Sequence, residues 1–316
     1  MGQDEISILL NRLKASGQLP ANLQKSEFES VYFFNCFNEK RSSIVSYGVS
    51  TGVSEIESVA VMKALVEWIE RLAFHEGASK GILACQTENS DGFAAYPYFR
   101  SNGLNFATNL ARKHAYTEAL ERYCWATWWD KRTQAVVDFK VKPRSKPSLD
   151  LLKLVNSYTP LNHLIAIIPV VEGLSEFKTI ILFGELKSGG YISGGAAGNV
   201  GDDEQIIFRA LSEMARHSIG LNKTMNQNLL ATTLYEERLL FFGLGQGNSL
   251  VTERLENSSS TPMVLPDLKF DVSINHSFAD VVVVHRCLFD NQPPFVGGDL
   301  GRLSILIIQN LNHFFS

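Results

Sequence analysis

The residues best placed to do chemistry recur as a word. ALVEWIER (64 to 71), AYTEALER (115 to 122) and, more loosely, ALSEMARH (210 to 217) share one spacing, and the first two read A-x-x-E-x-x-E-R. At about 6% Glu and about 5% Arg, an E-x-x-E-R match is expected roughly 0.05 times in a chain of this length, so two are more than chance supplies. On a helix, residues three and four apart share a face. Lys63, Glu67, Glu70 and Arg71 then form one stripe, with Val61, Leu65, Trp68 and Leu72 opposite. Glu118, Glu121 and Arg122 oppose Tyr116, Leu120 and Tyr123, while Arg209, Glu213 and Arg216 oppose Phe208, Leu211 and Ala215. Each helix is expected to pack by one face and to offer carboxylates and guanidinium groups on the other. A single helix of this kind is ordinarily a solvated charged face whose ion pairs contribute a few tenths of a kcal/mol each. Three with the same phasing favour a convergent site.

Four glutamates brought together from two helices repel one another unless cations sit among them. Hard divalent ions, above all Mg²⁺ with bridging phosphates, suit such oxygen ligands, and Arg71, Arg122 and Arg209 would complete a triphosphate site by bidentate pairing. A di-iron carboxylate bundle wants Glu-x-x-His, a spacing this sequence lacks. The glycine-rich stretch SGGYISGGAAGNVG (188 to 201) contains neither G-x-x-x-x-G-K-[ST] nor G-x-G-x-x-G, and Asp202 and Asp203 behind it would repel an anion. It is expected to form a tight turn and helix N-cap. His114, four residues before Glu118, is the one histidine on a carboxylate face, and the aromatic cluster Tyr123, Trp125, Trp128 and Trp129 is expected in the core.

The elements that must carry these residues follow from periodicity. Helices are expected over 4 to 15, from Ser54 to Gly77 behind a Ser54/Glu57 capping box, over 109 to 130 and over 203 to 219. Strands are expected within 28 to 52 and at 162 to 171, 178 to 186, 281 to 288 and 304 to 309. The order lacks a regular βαβ beat, which favours an α+β fold with mixed or antiparallel sheets over a doubly wound one. The proline-rich VKPRSKPS (141 to 148) is a candidate connector, too short to separate a pair of independent domains. One main domain is therefore expected over 28 to 316, preceded by an amphipathic helix and linker over 1 to 27.

Composition excludes several classes. The 316 residues are 45% hydrophobic and 20% charged, as in an ordinary globular protein, and a net charge of -4 gives no basic excess for a nucleic-acid backbone. No apolar run approaches the ~20 residues of a membrane span, and the N-terminus lacks the basic region of a secretory signal, so the cytoplasm is the expected compartment. Cys36, Cys85, Cys124 and Cys287 are far apart in sequence, which argues against a zinc site or a disulfide framework.

At its repeated words the sequence resembles the YcaO family of ATP-dependent peptide-modifying proteins. SNGL (101 to 104) followed by AYTEALER resembles that family's second nucleotide motif, KALVEWIER its first, and FRALSEMAR its third. The resemblance implies a YcaO-like fold and a nucleotide held without a P-loop. It places Glu67, Glu70, Glu118 and Glu121 on Mg²⁺, with Lys63, Arg71, Ser101, Asn102, Arg122, Arg209 and Glu213 near the phosphates or nucleoside of ATP. The sequence departs from the family at Gly52-Val53-Ser54, at Lys63 where Ser is frequent, and at Leu110 where a further carboxylate is frequent. The implied activity is ATP-dependent phosphorylation of a backbone amide in a ribosomally made peptide, leading to azoline cyclodehydration. Thioamide or amidine formation, or a non-catalytic nucleotide-binding subunit, are the alternatives. Because few residues precede the motifs, a separate leader-binding or ThiF-like protein is expected to present the peptide. The apolar face of Ile6, Leu9, Leu10 and Leu13 is expected either to fold back on the core or to meet a second chain, with a homodimer or hetero-complex favoured.

Overall fold

The structure is a computed structural model that describes residues 3–37, 49–79, 91–99, 103–130, 133–138, 140–226, 234–257 and 259–293. In chain order the elements are α1 (Gln3–Ala15), β1 (Asn22–Phe28), β2 (Val31–Phe37), β3 (Val49–Ser54), α2 (Glu57–Ser79), β4 (Gly92–Pro97), α3 (Leu104–Trp129), β5 (Ala135–Asp138), α4 (Lys146–Tyr158), β6 (Leu161–Pro169), β7 (Phe177–Leu186), β8 (Tyr191–Asn199), α5 (Asp203–Asn226), α6 (Leu234–Gly243), α7 (Asn248–Glu256), β9 (Leu268–Ile274) and β10 (Val282–Phe289). Three sheets, ordered β1-β2-β3, β4-β10-β9 and β5-β6-β7-β8, are antiparallel at every strand pair. The α+β expectation holds. The expected strand at 304 to 309 lies outside the described residues.

Each long helix lies against one sheet at a glycine. A Cβ on Gly52 of β3 would overlap the Ala60 carbonyl of α2, one on Gly92 of β4 the Ala115 carbonyl of α3, and one on Gly194 of β8 the Ala210 carbonyl of α5. Only glycine lets the backbones approach so closely. The small residues Ala60, Ala64, Ala115, Ala119 and Ala210 line the helix side of these contacts and are buried.

One expectation is corrected and another refined. The glycine-rich stretch is chiefly strand β8 rather than a turn and cap, because Gly194 meets α5 while Gly195 lies under Trp125, whose ring a Cβ would approach to 2.6 Å. The proline-rich segment links β5 to α4 over 141 to 145 and then forms the first turn of that helix over 146 to 148. Ser145 caps that helix by accepting from the Ser148 N–H, and Pro147 falls in the first turn, where no N–H is needed. The helices α2, α3 and α5 otherwise appear where periodicity placed them, α2 starting at Glu57 and α3 and α5 extending further than expected.

The amphipathic α1 folds back on its own chain. Ile6, Leu9 and Leu13 are buried in a core with Leu65, Trp68 and Ile69 of α2, and Arg12 pairs with Asp280 at 2.9 Å. Its apolar face is thus consumed within the molecule. Trp128 is buried among Ile165, Ile167, Ile181 and Phe183, so the aromatic cluster packs as expected. No described helix is long and apolar enough to cross a membrane.

Candidate functional site

Helices α3 and α5 repeat one another in detail, and α2 shares their pattern of side chains although its packing glycine meets the Ala60 carbonyl, one turn earlier. Three residues beyond Ala64, Ala115 and Ala210 stand Glu67, Glu118 and Glu213, and each accepts from a backbone N–H of its strand: Thr51 at 3.0 Å, Phe93 at 2.8 Å and Gly195 at 2.7 Å. One turn further, Arg71 pairs with Glu67 at 2.8 Å and Arg122 with Glu118 at 2.6 Å. The third helix carries His217 at that place. Arg122 donates to the Asp91 carbonyl and His217 Nδ1 to the Ser193 carbonyl at 2.6 Å, each the residue before the packing glycine. The remaining positions also correspond: Lys63, His114 and Arg209 one turn before the central glutamates, and Glu70, Glu121 and Arg216 three residues after them.

The repeat closes into a ring. Glu70 of α2 is repelled by Glu118 of α3, Glu121 of α3 by Glu213 of α5, and Arg216 of α5 attracts Glu67 of α2. In each case a residue at the later position of one helix acts electrostatically on, or is acted on by, the central glutamate of the next. Two junctions therefore join like charges and one joins opposite charges.

Ionisation follows the junctions. Burial and then Glu118 and Glu67 hold the Glu70 carboxyl well above the usual range, although the Ala95 N–H donates to it at 2.9 Å. Burial raises Glu118 as well, against Arg122 and the Phe93 N–H. Glu121 is pushed up to about 8 by burial and by Glu213. Glu67 goes the other way: burial opposes its charge, but Arg71, Arg216 and the Thr51 N–H outweigh it and lower its carboxyl. Beside the ring, burial and then Arg209 depress Lys63, whose Nζ donates to the Val53 carbonyl at 3.0 Å, and bring His114 down to about 4. His217 is held neutral by burial. Arg209 donates to the Ala197 carbonyl at 2.9 Å. A cleft of about 200 Å³ adjoins these groups and includes Lys113, His114, Thr117, Asn199 and Arg209 in its walls.

Behind the ring stands a buried ion pair. Arg286 Nε of β10 donates to the Asp91 carboxylate, and the guanidinium lies 4.3 Å from the Phe270 ring centroid. Asp91 is the residue whose carbonyl receives Arg122, so β10 fixes the arginine of the second repeat through one intermediate.

The structure thus brings Lys63, Glu67, Glu70, Arg71, Glu118, Glu121, Arg122, Arg209 and Glu213 within electrostatic reach of one another, and of these Arg209 lines the adjoining cleft. Ser101 and Asn102 lie outside the described residues. Arg216 and His217 were visible in the sequence only as a loose third copy of the word. Asp91 and Arg286 carried no periodic signal at all.

No family model matches the sequence, and no curated protein matches it. Solved structures do match. YcaO from Methanopyrus kandleri, bound with AMPPCP and Mg²⁺, is similar at a TM-score of 0.54 and 13% identity, over 94% of this chain and 92% of that one. A chain of the E. coli microcin synthetase McbBCD complex is similar at a TM-score of 0.52 and 10% identity, over 84% of this chain and 86% of that one. The same complex with pro-MccB17 bound gives a TM-score of 0.56 at 10% identity, over 85% and 87%. The chain has the YcaO fold.

Proposed function

We propose that this chain is an ATP-dependent enzyme that activates a backbone amide of a ribosomally made peptide, with Mg²⁺ held in the helix ring. The observation that carries this is the pair of like-charge junctions, Glu70 with Glu118 and Glu121 with Glu213, beside Lys63, His114 and Arg209. The donor set fits the ion: carboxylate oxygens are what Mg²⁺ prefers, and a divalent cation at a junction relieves the repulsion that now raises these carboxyls. It fits the nucleotide as well, because Arg122 and Arg209 both act on Glu121, and Arg209, Lys113 and Thr117 line the adjoining cleft.

The residue roles shift in one respect from those implied by sequence. Glu67, already balanced by Arg71 and Arg216, orders those arginines, and Glu213 takes its place among the cation ligands. When bound, ATP supplies the phosphoryl group that turns an amide oxygen into a leaving group, while Mg²⁺ spreads its charge. Arg122 and Arg209 would hold phosphate oxygens, the Asp91 carbonyl fixes Arg122, and His114, neutral at pH 7, would offer a hydrogen-bonding wall rather than a further cation. Donors fixed by such partners are what electrostatic stabilisation of transferred phosphate requires.

Azoline formation at a Cys, Ser or Thr of the peptide is the product we assign. A partner protein presents the peptide, in keeping with a neighbour that is a multi-protein synthetase solved with pro-MccB17 bound. The α1 face offers no support for a homodimer, since it is buried within the chain. The test is phosphate release from Mg-ATP by the full chain with candidate peptide and partner. Release that depends on the peptide and precedes a loss of one water from its mass is expected. Nucleotide binding without peptide-dependent turnover, whatever partner is added, would make the chain a non-catalytic nucleotide-binding subunit instead.

A further inference from the structure

Away from the ring, the helix-facing side of the β9–β10 pair is built of ligand-bearing residues. Asp271 stands directly across from Cys287, and Ser273 across from His285. His285 and Cys287 are 4% and 0% exposed, on a strand that α3 covers with Ala115 and Ala119. Apolar side chains would be the simplest way to fill such a place, since a buried polar group costs free energy unless fully partnered. Among the described residues, Asp271, His285 and Cys287 are the one group of three or more His, Cys, Asp or Glu whose ligand atoms all lie within 4.8 Å of one another.

We propose that Asp271, His285 and Cys287 form a transition-metal site, suited to Zn²⁺, distinct from the helix ring and independent of the function assigned to it. A thiolate, an imidazole and a carboxylate are the ligand types zinc takes, with a fourth position left for water. His285 is oriented for the task. Its Nε2 lies 2.8 Å from Asp271 Oδ1, on the ligand side, while Nδ1 lies 3.2 Å from Ser273 Oγ. A metal-bound histidine is normally held in this way by a partner on its other nitrogen.

A cation already stands at the site. The Arg112 guanidinium grips Asp271 through Nε, at 2.9 Å to Oδ1 and 3.0 Å to Oδ2, and through Nη2. Arg112 is the exposed member, at 58% against 25% for Asp271. Charge balances in both states: guanidinium with carboxylate in one, a divalent ion with carboxylate and thiolate in the other. Metal entry moves Arg112 into water and releases the thiol proton of Cys287 to solvent. The burial that makes this thiol hard to ionise, up to about 12, is offset by the bond to the ion, and Arg112 is the gate.

The test is titration of the full-length, metal-free chain with Co²⁺ alone, read by the near-ultraviolet thiolate-to-cobalt charge-transfer band, which the glutamates of the ring cannot produce. One equivalent with this band is expected, absent in Cys287→Ser and bound roughly tenfold or more tighter in Arg112→Gln, where the competing cation is gone. X-ray absorption of the zinc-loaded unaltered chain needs no variant and should show one sulfur and one imidazole in the shell. No band in either the unaltered chain or Arg112→Gln, a band that survives Cys287→Ser, or a zinc shell of oxygen only would overturn the proposal.

Discussion

Arg286 and Asp91 are joined by a charged hydrogen bond with 5% and 1% of their side chains exposed, and the Asp91 carbonyl in turn receives Arg122. Breaking one partner of such a pair leaves a buried charge uncompensated, at a cost of about 3 to 5 kcal/mol. Arg286→Met should therefore lower stability by that order in urea unfolding. The double variant Asp91→Asn with Arg286→Met should recover some of the loss. Equal stability of the single variant and the original chain would show that the pair does not hold the second repeat in place.

Glu118→Gln and Glu121→Gln address the ring itself. Each removes a charge from the proposed Mg²⁺ site while keeping the side-chain shape, so Mg-ATP affinity should fall at least tenfold, about 1.4 kcal/mol. Thermal unfolding without ligand should stay level or rise, because Glu121 faces Glu213 and Glu118 faces Glu70. Calorimetry that finds unchanged Mg-ATP affinity in both folded variants would remove these residues from the site.

Glu121 also gives the fold a pH dependence. Its carboxyl is pushed up to about 8, against about 4.3 in an unfolded chain, so the fold favours the protonated form. The associated stability is complete below about pH 4.3 and is lost as pH rises through about 8. In the absence of divalent cations, the unfolding temperature should fall between pH 5 and 8, and Glu121→Gln should flatten that slope. Mg²⁺ should flatten it too, with protons released on binding. A slope identical in Glu121→Gln would assign the titration to other groups.

The close helix–strand contacts predict a different sensitivity. Gly92→Ala would press a methyl group into the Ala115 carbonyl, a backbone atom that cannot turn away. Overpacking of this kind costs about 1 to 3 kcal/mol or more, and here it would also tilt Glu118 away from the Phe93 N–H that holds it. Chemical denaturation together with Mg-ATP binding should show both effects. Gly173→Ala is the control for space, since nothing lies within 4 Å of its added Cβ, and only its positive φ of 72° disfavours it.

Much of the site could be read from the chain because an α-helix converts spacing into direction. Glu67, Glu70 and Arg71 share a face by geometry alone, and so do Glu118, Glu121 and Arg122. Periodicity likewise placed α1, α2, α3 and α5 and gave the α+β class. It failed at β8, where glycines that signal a turn in isolation are needed because α5 and Trp125 press on the strand from both sides. It failed at α4, where Pro147 looks like a break but sits in a capped first turn.

What only the tertiary structure decided is which charges meet. Spacing within a helix cannot say that Glu70 opposes Glu118, that Glu121 opposes Glu213, or that Arg216 offsets the charge of Glu67, because those encounters depend on how three sheets set three helices beside one another. The same holds for Asp91 with Arg286, which meet where β4 and β10 pair across most of the chain, and for Asp271 with His285 and Cys287, which the β9–β10 register sets side by side. A sequence records which groups share an element. Coulomb repulsion and ligand geometry act through distances between elements, and those exist only once the sheets have set them.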